Sequence, residues 1–393
     1  MKVKICKWYG NADSPVLLWV DDLANAWVDV SGKGIVEPEA DWGYAKDGEN
    51  SAFGFLRQKL LSRFPRVKAT FFVPVGKRSG VVASSSIKIM AAAINSDEGT
   101  MAFFRSVHEN PMFEIAYHGT THGIAGERSE DFVQEWDAFN SLEEAVAAIE
   151  KGKGIYMEAL GCCPKGGKYC GYKAGRFGDE SIDKSGFLWW CRNSSIGSHD
   201  ASSLDISTFG ENGVIDIPTT LEGNIFNKYI KPDGRILQGA VKRIFKNKLL
   251  EIETGKIDRL LGNGLVVSIQ EHISPARNDG RRQTPNIFDD MESLHMIFEY
   301  MRGKNVWYCT GSELAEYCCC RDKSVIEQNG DEFAVKCAYD KSKLSSNILS
   351  LKVEGGTVER MIMPNGVIVE CEKGVYNIEI MEGTYKLLSE KQL

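Results

Sequence analysis

The sequence predicts an α/β fold with parallel strands, followed by a small antiparallel β module at the carboxyl end. Two observations lead to this prediction. Short apolar runs alternate with helix-length amphipathic segments as far as about residue 320, which is typical of parallel sheets whose strands are joined by helices. From about Ser324 onwards, apolar residues recur at every second position, with Asn-Gly and Gly-Gly at the breaks. That pattern favours antiparallel hairpins.

Five apolar runs are predicted to be strands of the parallel sheet. Each run is short, rich in β-branched and aromatic residues and bounded by polar residues, as strands covered on both faces are. The runs are residues 16–20 (VLLWV), 69–75 (ATFFVPV), 113–117 (FEIAY), 265–269 (LVVSI) and 306–310 (VWYCT).

Three segments between these runs have the spacing of helices. Residues 53–64 and 290–302 both place apolar side chains near one helical face. Ser141 and Glu144 have the spacing of a capping box, which predicts a helix from residue 142. A glycine of the segment EKGKG (residues 150–154) is predicted to end that helix.

Composition and charge exclude several classes of partner. The 393 residues suffice for about two domains. Lys and Arg number 47 and Asp and Glu number 54, a net charge of −7, so we expect no nucleic-acid partner and no attraction to anionic lipid. We find no apolar run of the about 18–20 residues that a membrane helix needs, and no signal peptide. The eleven cysteines do not form the even set of a secreted framework. We therefore expect a cytoplasmic protein without membrane insertion.

Asp21 and Asp22 follow the first predicted strand directly. Adjacent carboxylates at a strand end point in different directions, so one can bind a metal ion while the other faces a substrate. A turn or a helix cap also favours aspartate, and for this pair alone that is the more frequent case.

Three of the six histidines also follow predicted strands. His118 and His122 lie four residues apart in HGTTH, a spacing at which two imidazoles on one helical turn can share a cation such as zinc. Gly119 between them allows a tight turn. His272 follows the run 265–269 and has the chemistry of a general acid near neutral pH. Packing or capping is the alternative for each histidine taken singly, but their joint position at strand ends favours a functional site.

Together these motifs resemble the polysaccharide deacetylase (NodB-homology) family, carbohydrate esterase family four. The motifs are VLLWVDD, KATFFVPV, HGTTH, the loop GYKAG, and VVSIQEHISP followed by NVWYCTGSELAEY, and they occur in the family's order over about residues 14–318. The resemblance implies a distorted (β/α)7 barrel with its site at the carboxyl ends of the strands. It also implies hydrolysis of an acyl group, usually acetyl, from a sugar amide with one divalent metal ion. Zinc is the expected ion, with cobalt or nickel as alternatives.

Carried over residue by residue, the resemblance implies a role for each of the polar residues at the strand ends. Asp22, His118 and His122 resemble the metal ligands of the family. Asp21 resembles the general base that takes a proton from the metal-activated water, and His272 resembles the acid that protonates the leaving amine.

The third and fourth motifs of the family differ in this sequence. The family has an arginine that orients the base, and the best match here is Lys173, which lacks the bidentate fork of arginine; Arg176 is an alternative. Trp189 and Trp190 match the fourth motif only as aromatic residues, and we predict either a core position or a stacking surface for substrate. With Tyr172 and Arg176 they are the predicted substrate-binding residues.

The predicted organisation is a catalytic barrel over residues 1–323 and a small β-sandwich-like accessory module over residues 324–393. The predicted function is removal of an N-acyl group from a sugar or glycan. Two alternatives stay open: a catalytically silent glycan-binding protein on the same barrel, and an amidohydrolase of a small non-sugar amide. The cysteines at 162–163, 170 and 318–320 match no zinc spacing and are predicted to be buried thiols.

Overall fold

The computed structural model of the chain describes residues 1–37, 43, 46–48, 51–198, 200–230, 250–356 and 358–388. The chain forms two compact units. One contains Val16–Lys304, and the other combines Met1–Pro15 with Asn305–Leu393.

Strands and helices are numbered in chain order over the described ranges. Strands β1 to β22 are Lys2–Ile5, Ser14–Asp21, Ala26–Val28, Ala69–Val73, Ile89–Ala91, Phe113–Tyr117, Gly123–Ile124, Val133–Gln134, Gly166–Lys168, Trp189–Cys191, Ser207–Phe209, Val214–Asp216, Leu221–Glu222, Val267–His272, Val306–Tyr308, Ser324–Asn329, Glu332–Cys337, Ile348–Glu354, Arg360–Ile362, Ile368–Glu370, Val375–Glu379 and Tyr385–Leu388. Helices α1 to α9 are Ala52–Leu56, Glu98–His108, Leu142–Leu160, Gly178–Lys184, Ala201–Leu204, Asn227–Ile230, 250–262, Ile287–Met301 and Gly311–Asp322. A π-helical turn, Arg57–Leu61, continues α1.

The larger unit is built on one mainly parallel sheet. Its strand order is β11-β12-β10-β9-β6-β4-β2-β14-β13. The pairs from β12 to β13 are all parallel, and only the edge strand β11 pairs antiparallel. Over the described residues the two edge strands are not paired with each other, so the sheet is a distorted, incompletely closed barrel. The predicted α/β class is confirmed, and with it the antiparallel module described below.

The central position of β2 explains the apolar run that predicted it. All eight residues of β2 are buried, and β4 and β14 pair with its two edges in the interior of the sheet. A strand covered on both faces requires apolar side chains at successive positions, and this is why VLLWV shows no alternation.

Helix α3 begins as predicted but is longer than predicted. The Ser141 hydroxyl accepts a hydrogen bond from the Glu144 N–H, and the helix ends at Gly161 with φ of 79°. The predicted stop within EKGKG is wrong, because Gly152 serves close packing instead. A Cβ at Gly152 would lie 2.3 Å from the Tyr117 hydroxyl oxygen, so only glycine fits there.

The smaller unit contains two antiparallel sheets. Their strand orders are β1-β18-β21 and β16-β17-β22-β19-β20. A buried apolar cluster that includes Phe333, Leu349, Tyr376 and Tyr385 forms the core of this unit. The antiparallel pattern expected after residue 324 is present, but the unit also takes in β1, whose residue Val3 pairs with Val353 of β18. Pairing between segments so far apart in the chain leaves no local signal in the sequence. That residues 324–393 form a separate module stays a prediction.

Among the helices of the described ranges, none combines the length and the apolar composition that crossing a bilayer requires.

Candidate active site

Polar residues gather where four of five consecutive strands of the parallel sheet end. Asp21 is the last residue of β2, Lys168 of β9 and His272 of β14, and His118 directly follows β6. In the sheet register His272 lies opposite Asp21. Carboxyl ends of parallel strands meet at one edge of a sheet, which is where α/β barrels place their sites.

Asp21 is a buried, ionised carboxylate. The Lys168 ammonium donates to its Oδ2 at 2.7 Å, and both side chains are almost completely buried. Burial by itself would raise the pKa of Asp21, but Lys168 and, more weakly, His118 and His272 bring it below its ordinary value. Its Oδ1 has no hydrogen-bond partner among the described residues. Asp21 therefore offers one free acceptor atom at the edge of the sheet.

Asp22 is held by a second buried cation. The Arg78 guanidinium contacts both carboxylate oxygens, with Nη2 at 3.1 Å from Oδ2 and Nε at 3.4 Å from Oδ1. The His122 Nε2 lies 3.1 Å from Oδ1. Burial opposes ionisation, yet Arg78 and His122 lower the pKa of Asp22 well below its ordinary value.

The two predicted metal-binding histidines are adjacent and buried. Their ring centroids are 5.1 Å apart. The His118 Nδ1–H donates to the Lys168 carbonyl at 2.9 Å, which leaves its Nε2 for a ligand. Burial lowers the pKa of His118 to about 4, so the ring is neutral, as metal binding requires. The expectation of a helical turn is wrong, since His122 has a φ of +73°.

Glu135 fixes the turn that carries His122. Its carboxylate accepts hydrogen bonds from three consecutive backbone N–H groups, those of Thr120, Thr121 and His122, at 2.8, 2.8 and 2.7 Å. Glu135 lies 13 positions beyond His122 in a short 3-10 turn, Glu135–Ala138. The sequence analysis did not single it out, because no local pattern links it to the histidines.

Cys170 belongs to the same cluster. One ligand atom each of His118, His122 and Cys170 lie within 4.8 Å of one another, and together they could hold a metal ion. The Cys170 Sγ–H donates to the His118 carbonyl at 3.2 Å. Burial, and next the Glu135 carboxylate, raise the pKa of this thiol well above its ordinary value. The prediction of a buried thiol is correct for Cys170 and for Cys318–Cys320, but it is wrong for Cys163, which is exposed, and Cys162 is only partly buried. Spacing alone could not show that Cys170 lies close to the histidines.

His272 faces Asp21 with one ring nitrogen. Its Nδ1–H donates to the Pro285 carbonyl at 2.7 Å, and this bond fixes the orientation of the ring. Its Nε2 lies 3.8 Å from Asp21 Oδ2. Its side chain is 17% exposed, so this nitrogen lies at the rim of the buried cluster.

The cation on Asp21 is Lys168, whereas the predicted partner Lys173 is exposed. Arg176 is also exposed, with its guanidinium over the Phe177 ring. Lys173 and Arg176 come after the short turn Cys170–Tyr172, whereas Lys168 is the last residue of β9, before that turn.

The predicted substrate-binding aromatic residues lie in different places. Trp189 and Trp190 have no exposed surface, so of the two predicted roles the structure places them in the core. Tyr172 is half-buried beside the site, and the Lys168 ammonium lies 4.3 Å from its ring centroid. Its hydroxyl donates to Gln270 Oε1 at 3.0 Å and is hydrogen-bonded to the Thr219 hydroxyl at 2.8 Å.

Left-handed backbone is concentrated at this site. Among the described residues, Asp22, His122 and Tyr172 are three of the six non-glycine residues with positive φ. Such conformations cost about 1–3 kcal/mol each and are found preferentially at functional sites. The geometry therefore singles out this cluster without reference to any relative.

No family model matches the sequence, and no curated protein matches it. Solved structures do share features of its fold. Puue allantoinase is 17% identical with a TM-score of 0.44, and the match covers 79% of this chain and 92% of that one. A Pseudomonas aeruginosa PAO1 protein described as a polysaccharide deacetylase is 16% identical with a TM-score of 0.45, over 79% of this chain and 93% of that one. A family 4 acetyl xylan esterase from Clostridium thermocellum, with a cobalt ion, is 14% identical with a TM-score of 0.34, over 77% and 90%.

Proposed function

We propose that the chain is a metal-dependent hydrolase that removes an N-acyl group, in the first place N-acetyl, from a sugar or glycan. One observation carries the proposal. At a single sheet edge an ionised carboxylate with a free oxygen, a neutral histidine and two further histidines are brought together in a buried cluster. These are the groups that hydrolysis of an amide needs: ligands, a base and an acid.

Asp21 is the proposed general base. Its Oδ2 is bound by Lys168, and its Oδ1 is free to accept a proton from a water molecule. Lys168 keeps Asp21 ionised and fixes its rotamer, a role we had assigned to Lys173. A base at this position needs to be charged before the reaction, which the lowered pKa of Asp21 provides.

His272 is the proposed general acid. The bond from its Nδ1 to the Pro285 carbonyl leaves Nε2 to carry the exchangeable proton. Its Nε2 lies 3.8 Å from Asp21 Oδ2. The base for the attacking water and the acid for the leaving nitrogen are therefore close enough to act on the same amide bond. Tyr172 lies beside these two residues and remains a proposed substrate-binding residue.

The donor set fits a divalent cation. His118 and His122 provide imidazole nitrogens, Asp22 a carboxylate and Cys170 a sulfur, a set that suits zinc and also cobalt or nickel. When bound, such an ion supplies Lewis acidity for the acyl carbonyl and lowers the pKa of water. We propose Asp22, His118 and His122 as its ligands.

A small non-sugar amide is the second candidate substrate. The polar groups of the site are nearly all buried; Asp21 is 3% exposed and His118 is 1% exposed. A small molecule fits such burial more easily than a long polymer does. Allantoin is included among the compounds to test because an allantoinase is one of the similar structures.

Metal analysis of the purified protein tests the proposal, with release of acetate from N-acetylglucosamine and its oligomers as the assay. We expect about one divalent ion per chain, lost in His118→Ala and kept in His295→Ala, a histidine on α8 whose Nε2 donates to the Lys59 carbonyl. Asp21→Asn should keep the metal and lose about 100-fold or more in turnover.

Three outcomes would contradict parts of this proposal. A protein without metal after incubation with zinc, cobalt and nickel would exclude the metal-dependent reaction. A fully active Asp21→Asn variant would exclude Asp21 as the base. Metal without turnover on sugars or small amides would favour the glycan-binding alternative.

A further inference from the structure

Arg78 binds the carboxylate of Asp22, which is one of the proposed metal ligands. Its Nη2 and Nε reach the two different oxygens of Asp22, and the side chains of the pair are 3% and 0% exposed. Arg78 lies in the loop GKRSG (residues 76–80), which follows strand β4. Arginine cannot lose its charge inside a protein, so only movement of the side chain can release Asp22.

This loop is attached to the turn that carries the histidines. The N–H groups of Gly76 and Ser79 donate to the carbonyls of Thr120 and Thr121 at 2.7 and 2.9 Å. A Cβ at Gly76 would lie 2.6 Å from the Thr120 carbonyl oxygen, so the two segments approach as closely as glycine allows. Arg78 is therefore held in place by the backbone on which it sits.

Both aspartates of the cluster already have a cation as partner. Asp21 is paired with Lys168 and Asp22 with Arg78. A divalent cation would add two positive charges to a buried volume in which both aspartates are already paired. Uncompensated charge in such an environment is costly.

We propose that Arg78 competes with the divalent cation for Asp22 and thereby weakens metal binding. This inference rests on the proposed metal site. It assigns Arg78 as an affinity-setting residue: metal binding requires the guanidinium to move off at least one oxygen of Asp22. The opposite possibility is that Arg78 orients Asp22 as a ligand, in which case its removal would weaken metal binding.

The affinity of the full chain for Zn²⁺, measured by competition with a chromophoric chelator, separates these possibilities. Arg78→Met removes the charge and keeps an unbranched side chain. Lys77→Met is the matched control, because it removes an adjacent exposed cation of the same loop. We expect the affinity of Arg78→Met for Zn²⁺ to be at least about tenfold higher than that of the unchanged protein. The affinity of Lys77→Met should equal that of the unchanged protein.

The thermal stability of the Arg78 variants gives a second measurement. Arg78→Met leaves Asp22 without its cation, so added Zn²⁺ should raise the Tm of this variant more than it raises the Tm of the unchanged protein. Arg78→Gln, which can still donate hydrogen bonds to Asp22, should also bind Zn²⁺ more tightly and replaces the Met variant if that protein does not fold.

Failure of this inference is distinguishable from failure of the proposed function. Equal or weaker Zn²⁺ binding by the folded Arg78 variants, with binding in the unchanged protein, overturns the competition alone. Absence of Zn²⁺ binding in the unchanged protein and in every variant overturns the metal site and the competition together.

Discussion

The active site and the interior next to it differ in how buried carboxyl groups are held. At the active site, Asp21 and Asp22 are ionised, and each is paired with a buried cation. Glu271 directly precedes His272 in β14, so its side chain points to the opposite face of the strand; it is fully buried and has no hydrogen-bond partner on either oxygen among the described residues. Burial, and next the acidic groups Asp290 and Glu222, raise the pKa of Glu271 well above its ordinary value.

Glu135 shows a third arrangement. Its carboxylate is nearly buried, and it is stabilised by three backbone N–H groups of the turn 120–122. The comparison teaches that burial alone does not decide the charge of a carboxyl group. A cation within hydrogen-bond distance keeps Asp21 and Asp22 ionised, whereas Glu271, which has no such partner among the described residues, takes up a proton.

Removing the cation of Asp21 should have the largest effect on stability. In Lys168→Met the Asp21 carboxylate would stay buried without its partner, and we expect the free energy of unfolding to fall by about 3–5 kcal/mol. Urea unfolding measures this loss. Lys173→Met, at an exposed neighbouring position, should change stability by less than about 0.5 kcal/mol. Similar losses in the two variants would contradict the pairing of Lys168 with Asp21.

Replacing Glu135 should have an intermediate effect. Glu135→Gln presents an NH2 group to backbone N–H donors, and we expect the free energy of unfolding to fall by about 1–3 kcal/mol, the cost of leaving a buried donor without a partner. Amide hydrogen exchange at Thr120, Thr121 and His122 should become faster. Glu130→Gln, at a side chain that is 64% exposed, is the control. Unchanged exchange at the three amides would show that Glu135 does not hold the turn.

Replacing Glu271 should have the smallest effect, and of opposite sign. Folded Glu271 keeps a proton that the unfolded chain releases above its ordinary pKa of 4.5. The free energy of unfolding therefore falls as the pH rises above that value, until the pKa of the folded state is reached. Glu271→Gln removes this dependence and should stabilise the protein by about 1–2 kcal/mol at pH 7.

Urea unfolding at pH 4 and pH 7 tests this sign. The advantage of Glu271→Gln should nearly disappear at the lower pH, where the carboxyl group is protonated in the folded protein and largely so in the unfolded chain. Glu109→Gln, at an exposed position, should show no such difference. Destabilisation of Glu271→Gln at pH 7 would mean that Glu271 is ionised and has a partner.

The sequence predicts the sheet and half of the polar cluster because those features are local. Strands β2 and β6 contain the apolar runs that predicted them, and Asp21-Asp22 and His118 come directly after those runs. A residue at the end of a recognisable strand can be placed at the sheet edge without any knowledge of distant contacts.

Lys168 could not be placed in this way because its strand looks like a loop. β9 is Gly166–Lys168, and its glycines are required by the neighbouring strand β10. A Cβ at Gly166 or Gly167 would lie 2.0 or 2.4 Å from ring atoms of Trp189 or Trp190. The two tryptophans thus fill the space of the missing side chains, which explains both their burial and the absence of an apolar run in β9.

Arg78 and Glu135 were missed for a related reason. Each acts on a residue far from it in sequence: Arg78 on Asp22, 56 positions away, and Glu135 on His122, 13 positions away. Only the folded chain brings these partners together. The same holds for Cys170, which lies close to His118 although 52 positions separate the two.

The left-handed backbone at His122 sets a limit on how the protein can be improved. Glycine adopts that conformation without steric cost, whereas histidine does not. A redesign guided by thermal tolerance alone would therefore favour glycine at this position and would delete an imidazole of the site. Activity and robustness are in conflict at this residue, and engineering of the chain for higher temperature should leave it fixed and seek its gains elsewhere.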